Sequence, residues 1–217
     1  MDLEYARYKM INQQVRAWEV LSPDVLETLS ALPRERFVPD EYLPLAFADT
    51  MIPLGDGQVM LAPKIEGRIL QALDLSGEEN VLEVGTGSGF MTACLARLAR
   101  QVHSVDIREA FLREAEPKLK AVHQHNISLE NRDASRLDWV KDGYDAIAVT
   151  GSMPVLEDSF LKALNVGGRL FVTLGRSPVM ESLVITRMGE DDWRRESLFE
   201  TDMPPLDGAY DPPHFEF

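Results

Sequence analysis

Apolar positions along the first 35 residues recur at helical spacing, with Tyr5, Tyr8, Met10 and Ile11 followed by Val15 and Trp18, which predicts a helical start. Ser22-Pro23 then reads as an N-cap and first helical residue for a helix through Val25, Leu26, Leu29 and Leu32, closed by Pro33. From Phe37 to Gln58 the periodicity is lost. Pro39, Pro44, Pro53, Gly55 and Gly57 fall in that stretch and predict an irregular arm or lid. Order returns at Pro63, where Ile65, Ile69, Leu70 and Leu73 describe an amphipathic helix expected to end at Gly77.

Beyond Gly77 the period switches repeatedly. Short β-like runs at Asn80 to Val84, Val102 to Asp106, Ile127 to Asn131, Tyr144 to Thr150 and Arg169 to Leu174 alternate with helical stretches at Phe90 to Arg100, Arg108 to His123 and Val155 to Leu164. Strand then helix, repeated, predicts an α/β fold: a doubly wound, mostly parallel sheet with helices on both faces. Two further β-like runs, Ser182 to Met188 and Trp193 to Glu200, are joined by Gly189-Glu190-Asp191-Asp192 and read as a hairpin. A tail from Met203 to Phe217 carries four prolines. The expected organisation is a helical arm and lid over residues 1–62 on an α/β domain over 63–217, forming one compact unit. The apolar end Phe215-Glu216-Phe217 is expected to dock back in cis.

Composition narrows the function classes. With 217 residues and 45% of them hydrophobic, the chain suffices for one sizeable core. Its 22 Lys and Arg against 36 Asp and Glu leave a formal charge of −14, which removes the electrostatic footprint of a nucleic-acid binder. The single cysteine, Cys94, forbids an intrachain disulfide and fits a reducing, cytoplasmic setting. An acidic start and no run near the roughly 18 apolar residues of a membrane span argue against secretion and membrane insertion.

The candidate chemistry centres on Val81-Leu82-Glu83-Val84-Gly85-Thr86-Gly87-Ser88-Gly89-Phe90, a strand running into a glycine-rich turn and a helix. Side chains at Gly85, Gly87 and Gly89 would occupy space that a bound ligand could take, although glycine-rich turns after strands also serve packing alone. Asp106, seventeen residues after Gly89, closes the next β-like run, where a carboxylate can accept both hydroxyls of a ribose. Asp133 falls just after the third run, within reach of an adenine edge. Glu83 ahead of the turn would repel a pyrophosphate and suits a cationic ligand.

This E-x-G-x-G-x-G pattern resembles motif I of the class I methyltransferases, whose cofactor is S-adenosylmethionine. Lys162 to Leu170 is similar to the helix, Gly-Gly turn and strand that follow the fourth strand in that superfamily. The amino-terminal third narrows the likeness. Gln13-Gln14-Val15-Arg16, Leu32-Pro33-Arg34-Glu35-Arg36-Phe37-Val38-Pro39, Ala46-Phe47-Ala48-Asp49 and Ile52-Pro53-Leu54-Gly55-Asp56-Gly57-Gln58 run in the order and spacing of the protein-L-isoaspartate O-methyltransferase family. The resemblance extends from about Tyr8 through Gly175, and P-R-E-x-F-V-P is its most specific element.

The resemblance implies an S-adenosylmethionine site built from Glu83, Gly85, Thr86, Gly87, Ser88 and Gly89 around the methionine part. It places Asp106 and Ile107 at the ribose, Asp133 and Ala134 near the adenine, and Gly151-Ser152 facing the reacting methyl. It implies methylation of the free carboxylate of isoaspartyl residues, a protein-repair reaction in which an already ionised acceptor needs no general base. One departure bears on this. The family carries G-x-T-I-S-x-P, whose threonine and serine lie against substrate and cofactor, whereas Val59 and Leu61 occupy those positions in Gly57-Gln58-Val59-Met60-Leu61-Ala62-Pro63. An acceptor carboxylate would lose two hydroxyl donors there unless backbone amides compensate. A family member with a changed acceptor, a small molecule or another carboxylate, is therefore a rival reading, as is a cofactor-binding module without transfer activity.

The remaining candidates read as structural. His123-x-His125 lacks the further ligands of a metal site, so no metal is expected. His103 reads as a packed or edge residue, Cys94 as a small buried hydrophobe, and Trp18, Trp139 and Trp193 as packing. Asp211-Pro212-Pro213-His214 lies too far along the tail to act as an amino-group methylation tetrapeptide.

Overall fold

The N-terminal periodicity folds as a broken helix. In the computed structural model, which describes residues 2–213, helix α1 spans Leu3–Met10 and is capped by Asp2, whose carboxylate accepts the Tyr5 N–H at 3.1 Å. The path continues through a π-turn at Ile11–Val15 and a 3-10 turn at Arg16–Trp18, then stops at Glu19 in a left-handed conformation (φ 60°). Helix α2, Pro23–Ala31, starts as expected, with the Ser22 hydroxyl accepting from the Val25 N–H.

The segment expected to be irregular contains more order than its prolines suggested. A 3-10 helix covers Asp40–Leu45, and a hairpin follows, β1 (Ile52–Gly55) pairing antiparallel with β2 (Gln58–Met60). The reason is local: Asp56 and Gly57 both take positive φ (51° and 75°), the two-residue turn that matches strand twist. Helix α3 (Pro63–Leu73) ends earlier than Gly77, because Asp74 adopts the left-handed conformation (φ 48°) that terminates it.

The remaining strands are β3 (Asn80–Val84), β4 (Gln101–Asp106), β5 (Ile127–Asn131), β6 (Tyr144–Met153), β7 (Leu164–Arg176), β8 (Val179–Arg187) and β9 (Trp193–Thr201). They form one seven-stranded sheet in the order β5-β4-β3-β6-β7-β8-β9. The strands from β3 to β7 pair in parallel, and β8 is antiparallel to both of its neighbours. Helices α4 (Phe90–Leu98), α5 (Glu109–Ala121) and the short α6 (Asp158–Lys162) make the crossovers. The helix expected over Val155 to Leu164 is thus much shorter. Leu164 already pairs with Tyr144, and Gly167-Gly168 lie inside the strand, where a Cβ on Gly168 would sit about 3 Å from the Asp145 and Tyr144 carbonyls.

Side chains alternate between two cores, as strand geometry requires. Val81, Ala146, Ala148 and Phe171 pack on the face covered by the arm, α2, α3 and α4, while Leu82, Ile147, Val149 and Leu170 pack on the face covered by α6 and Leu137. Residues of the N-terminal arm, among them Met10, Val15 and Leu29, belong to the first core and are almost wholly buried. Phe215-Glu216-Phe217, expected to dock in cis, lie outside the described residues.

Candidate functional site

In a doubly wound sheet the ligand crevice opens where neighbouring strands lead to opposite sides, and here that point lies between β3 and β6. The glycine-rich turn after β3 is held there by its own backbone. Gly85, Gly87 and Gly89 all take positive φ (99°, 49° and 84°), and a Cβ on Gly85 would overlap Thr150 Oγ1. Thr150 Oγ1 in turn donates to the carbonyls of Val84 (3.0 Å) and Gly85 (2.8 Å). Gly89 serves packing: its missing Cβ admits Ala115 of α5.

Asp106 ends β4 facing this turn. Its Oδ2 accepts from the Gly87 N–H (3.0 Å) and its Oδ1 from the Arg108 N–H (2.9 Å). Burial pushes this carboxyl above its ordinary value, and the two amides oppose the rise. Each oxygen keeps a free lone pair.

Not every expected residue reaches the cleft. Gly85, Thr86, Gly87, Ser88, Asp106, Ile107, Ala134 and Gly151 line it together with Val59 and Leu61, whereas Glu83, Gly89 and Asp133 do not. Glu83 is fully buried on the helix-covered face, where its Oε2 accepts from Thr92 Oγ1 and Ser104 Oγ, each at 2.5 Å, and its Oε1 has no partner. Burial raises its pKa to about 8, so the carboxyl is largely neutral where a contact to a cation had been expected. Asp133 is exposed and accepts the Ser135 N–H at 2.9 Å, leaving Ala134 and Ser135 at the cleft wall. Ser152, expected at the reacting methyl, is buried within β6, and its hydroxyl donates to the Met203 carbonyl at 3.0 Å.

The opposite wall comes from three distant segments. The hairpin supplies Leu54 and Val59, the start of α4 supplies Met91, and the C-terminal segment supplies Leu206. Leu54 lies 3.2 Å from the position a Gly87 Cβ would take, so hairpin and glycine turn are in contact. Beneath them sits Arg34, wholly buried, which donates to the carbonyls of Ala46 (2.8 Å) and Leu61 (2.7 Å), pairs with buried Glu66 and stacks on the Phe90 ring. Burial raises the Glu66 carboxyl and the Arg34 guanidinium opposes that rise. Leu206 is held by its N–H on the Ser152 carbonyl (2.9 Å) and packs where a Gly151 Cβ would be. The two cations lining the cleft are both paired, Arg108 with Asp56 and Asp207, and Arg132 with Glu130.

The sequence profile of the family described as protein-L-isoaspartate(D-aspartate) O-methyltransferase (PCMT) matches residues 6–202. The chain belongs to this family. A protein-L-isoaspartate O-methyltransferase 2 from Pelobacter propionicus is 37% identical over 208 residues, covering 95% of this chain and 92% of that protein. A protein-L-isoaspartate O-methyltransferase from Syntrophus aciditrophicus is 35% identical over 207 residues, covering 94% of each. In fold, the chain superposes with a TM-score of 0.80 on a Plasmodium falciparum chain described as a PCMT and crystallised with S-adenosyl-L-homocysteine, at 15% identity and covering 95% of this chain and 99% of that one. The architecture is therefore the Rossmann-like class I fold with an N-terminal helical arm, and the protein is an S-adenosylmethionine-dependent methyltransferase related to this family.

Within that family frame, the P-R-E-R-F-V-P segment has a physical role that its sequence did not disclose. Its Arg34 ties the lid to α3 through Glu66 and fixes the carbonyl of Leu61, the residue at the family's serine position. The histidines lie elsewhere. His103 bridges Tyr144 (2.7 Å) and Glu130 (2.9 Å), while His123 lies in the turn just beyond α5 with its ring 6.5 Å from that of His125. Among the described residues no cluster of three His, Cys, Asp or Glu has metal-binding geometry. Cys94 is buried in α4, and burial pushes its thiol well up.

Proposed function

We propose that the protein transfers the methyl group of S-adenosylmethionine to the free α-carboxylate of isoaspartyl residues in damaged polypeptides. The observation that carries this reading is the meeting, in one cleft, of the glycine turn with Asp106 and the hairpin that supplies Val59 and Leu61. The residues present fit the cofactor. The positive-φ turn brings the backbone of Gly85 and Gly87 to the cleft, Asp106 has lone pairs to spare for two ribose hydroxyls, and Ala134 and Ser135 flank the space for an adenine.

The bound cofactor would supply an electrophilic sulfonium methyl. Everything else falls to positioning and the exclusion of water. The acceptor carboxylate is ionised at neutral pH, so no base is needed. Leu54, Met91 and Leu206 make the acceptor end apolar, which desolvates the carboxylate and strengthens its attack. The resulting methyl ester is attacked by the following backbone nitrogen and closes to a succinimide with loss of methanol, and water reopens the ring in part to normal aspartate.

A second reading, a changed acceptor, is favoured by the same wall. Val59 and Leu61 offer no hydroxyl, and both lining arginines are already paired, so a carboxylate depends on backbone donors or on the other polar side chains of the lining, among them Gln58, Ser88 and Ser135. The deciding experiment is transfer of labelled methyl to an isoaspartyl peptide, with the aspartyl peptide as control and S-adenosylhomocysteine affinity measured on the same preparation. Base-labile ester on the isoaspartyl peptide alone is the expected result. Cofactor binding without ester would reject the repair reading and support the changed acceptor or a non-catalytic module.

A further inference from the structure

We infer that Arg108 is a positioning residue that clamps the hairpin tip and the C-terminal strap together over the cofactor, an inference that rests on the cofactor reading above. Arg108 stands two residues beyond Asp106, and its own N–H holds the Asp106 carboxylate. Its guanidinium turns to the cleft mouth. There Nη1 pairs with Asp207, Nε lies 3.7 Å from Asp56 Oδ2, and Nη2 donates to the Asp56 carbonyl at 3.4 Å. Among the described residues Arg108 is the only cation within salt-bridge distance of either acid.

The two segments it joins are otherwise tied at separate places, the hairpin by the contact of Leu54 with the glycine turn and the strap beyond Asp207 by Arg176, which pairs with Asp211 and donates to the Pro212 carbonyl. The hairpin is a two-stranded ribbon that pairs with no other strand, and such ribbons are marginal alone. Asp56 sits at its exposed turn between Gly55 and Gly57. The strap is pinned on its inner side, where Ser152 N–H donates to Pro204 O (3.0 Å) and Leu206 N–H to Ser152 O (2.9 Å), but Asp207 beyond it is held by Arg108. One side chain anchored at the ribose carboxylate therefore bridges both halves of the roof, and those halves carry Leu54 and Leu206, the apolar walls of the acceptor end. The Phe111 ring, 5.9 Å from the guanidinium carbon, backs it from below. The clamp links cofactor retention to closure of the acceptor wall.

The test uses the full-length chain and S-adenosylhomocysteine as the probe. Arg108→Ala keeps the backbone N–H that holds Asp106, so its expected effect is on closure: an affinity about fivefold weaker, carried by faster dissociation. Dissociation from the parent protein should quicken with added salt, and that salt dependence should flatten in the variant. Arg108→Lys should restore part of the loss, Asp207→Asn should weaken binding about twofold, and without ligand, hydrogen exchange over residues 54–60 and 203–208 should speed up in Arg108→Ala. Unchanged dissociation and exchange in Arg108→Ala, with the parent binding normally, overturns the clamp alone. A parent protein that fails to bind S-adenosylhomocysteine overturns the cofactor reading, while the exchange data still report on the clamp.

Discussion

The two walls of the cleft are made by different physics. The cofactor wall is backbone: turns with positive φ, amides on Asp106, and a threonine hydroxyl on two carbonyls, all contributed by the ends of adjacent strands. The acceptor wall is side chain: Leu54, Val59, Leu61, Met91 and Leu206, brought from three separate places and locked from behind by one buried ion pair. A backbone-built wall tolerates sequence drift around its glycines, whereas a side-chain wall changes chemistry with each substitution.

The strongest way to break that contrast is at Arg34. Arg34→Met leaves the buried Glu66 carboxyl without its partner and should cost about 3–5 kcal/mol of stability, read as a lower urea midpoint. Adding Glu66→Met should recover much of it; a single variant as stable as the parent would mean the lock is dispensable. On the cofactor side, Glu83 is the corresponding buried group. Its pKa is raised to about 8 from an unfolded value near 4.5, so the folded state holds a proton that the unfolded state releases between those values. Stability is therefore fully present below the unfolded pKa and declines as pH rises towards 8, with a slope approaching about 1.4 kcal/mol per pH unit. Glu83→Gln should flatten that slope in denaturation series at several pH values.

Two smaller effects sharpen the comparison. Asp106→Ala removes the acceptor for the ribose hydroxyls and should weaken S-adenosylhomocysteine binding about hundredfold in calorimetry, with the acceptor wall untouched. Conversely, Val59→Thr with Leu61→Ser should raise kcat/KM for an isoaspartyl peptide about tenfold while leaving cofactor affinity alone. No gain there would show that backbone donors already satisfy the carboxylate.

The contrast also explains what could be read from sequence. The strands, the turn and the carboxylate that faces it were legible because each is local: alternating apolar residues make β3 and β4, glycines mark positive φ, and Asp106 ends its strand. Glu83 lies away from the cleft lining because strand alternation puts it on the helix-covered face, where Thr92 and Ser104 take up one of its oxygens. The ion pair of Arg34 with Glu66 and the arrival of Leu206 beside Gly151 join residues far apart in the chain, and no periodicity reports such pairings. Even the early end of α3 follows this logic, since a left-handed Asp74 is a less common helix stop than the glycine three residues on.

The strap also sets an order of events in biosynthesis. Chains emerge from the ribosome amino end first, and domains begin folding in that direction. The glycine turn and Asp106 are in place long before Leu206 and Asp207 are made, so a nascent chain presents an open cofactor crevice with one wall missing. The strap completes that wall, and a chain cut short before Leu206 would lose this part of the enclosure.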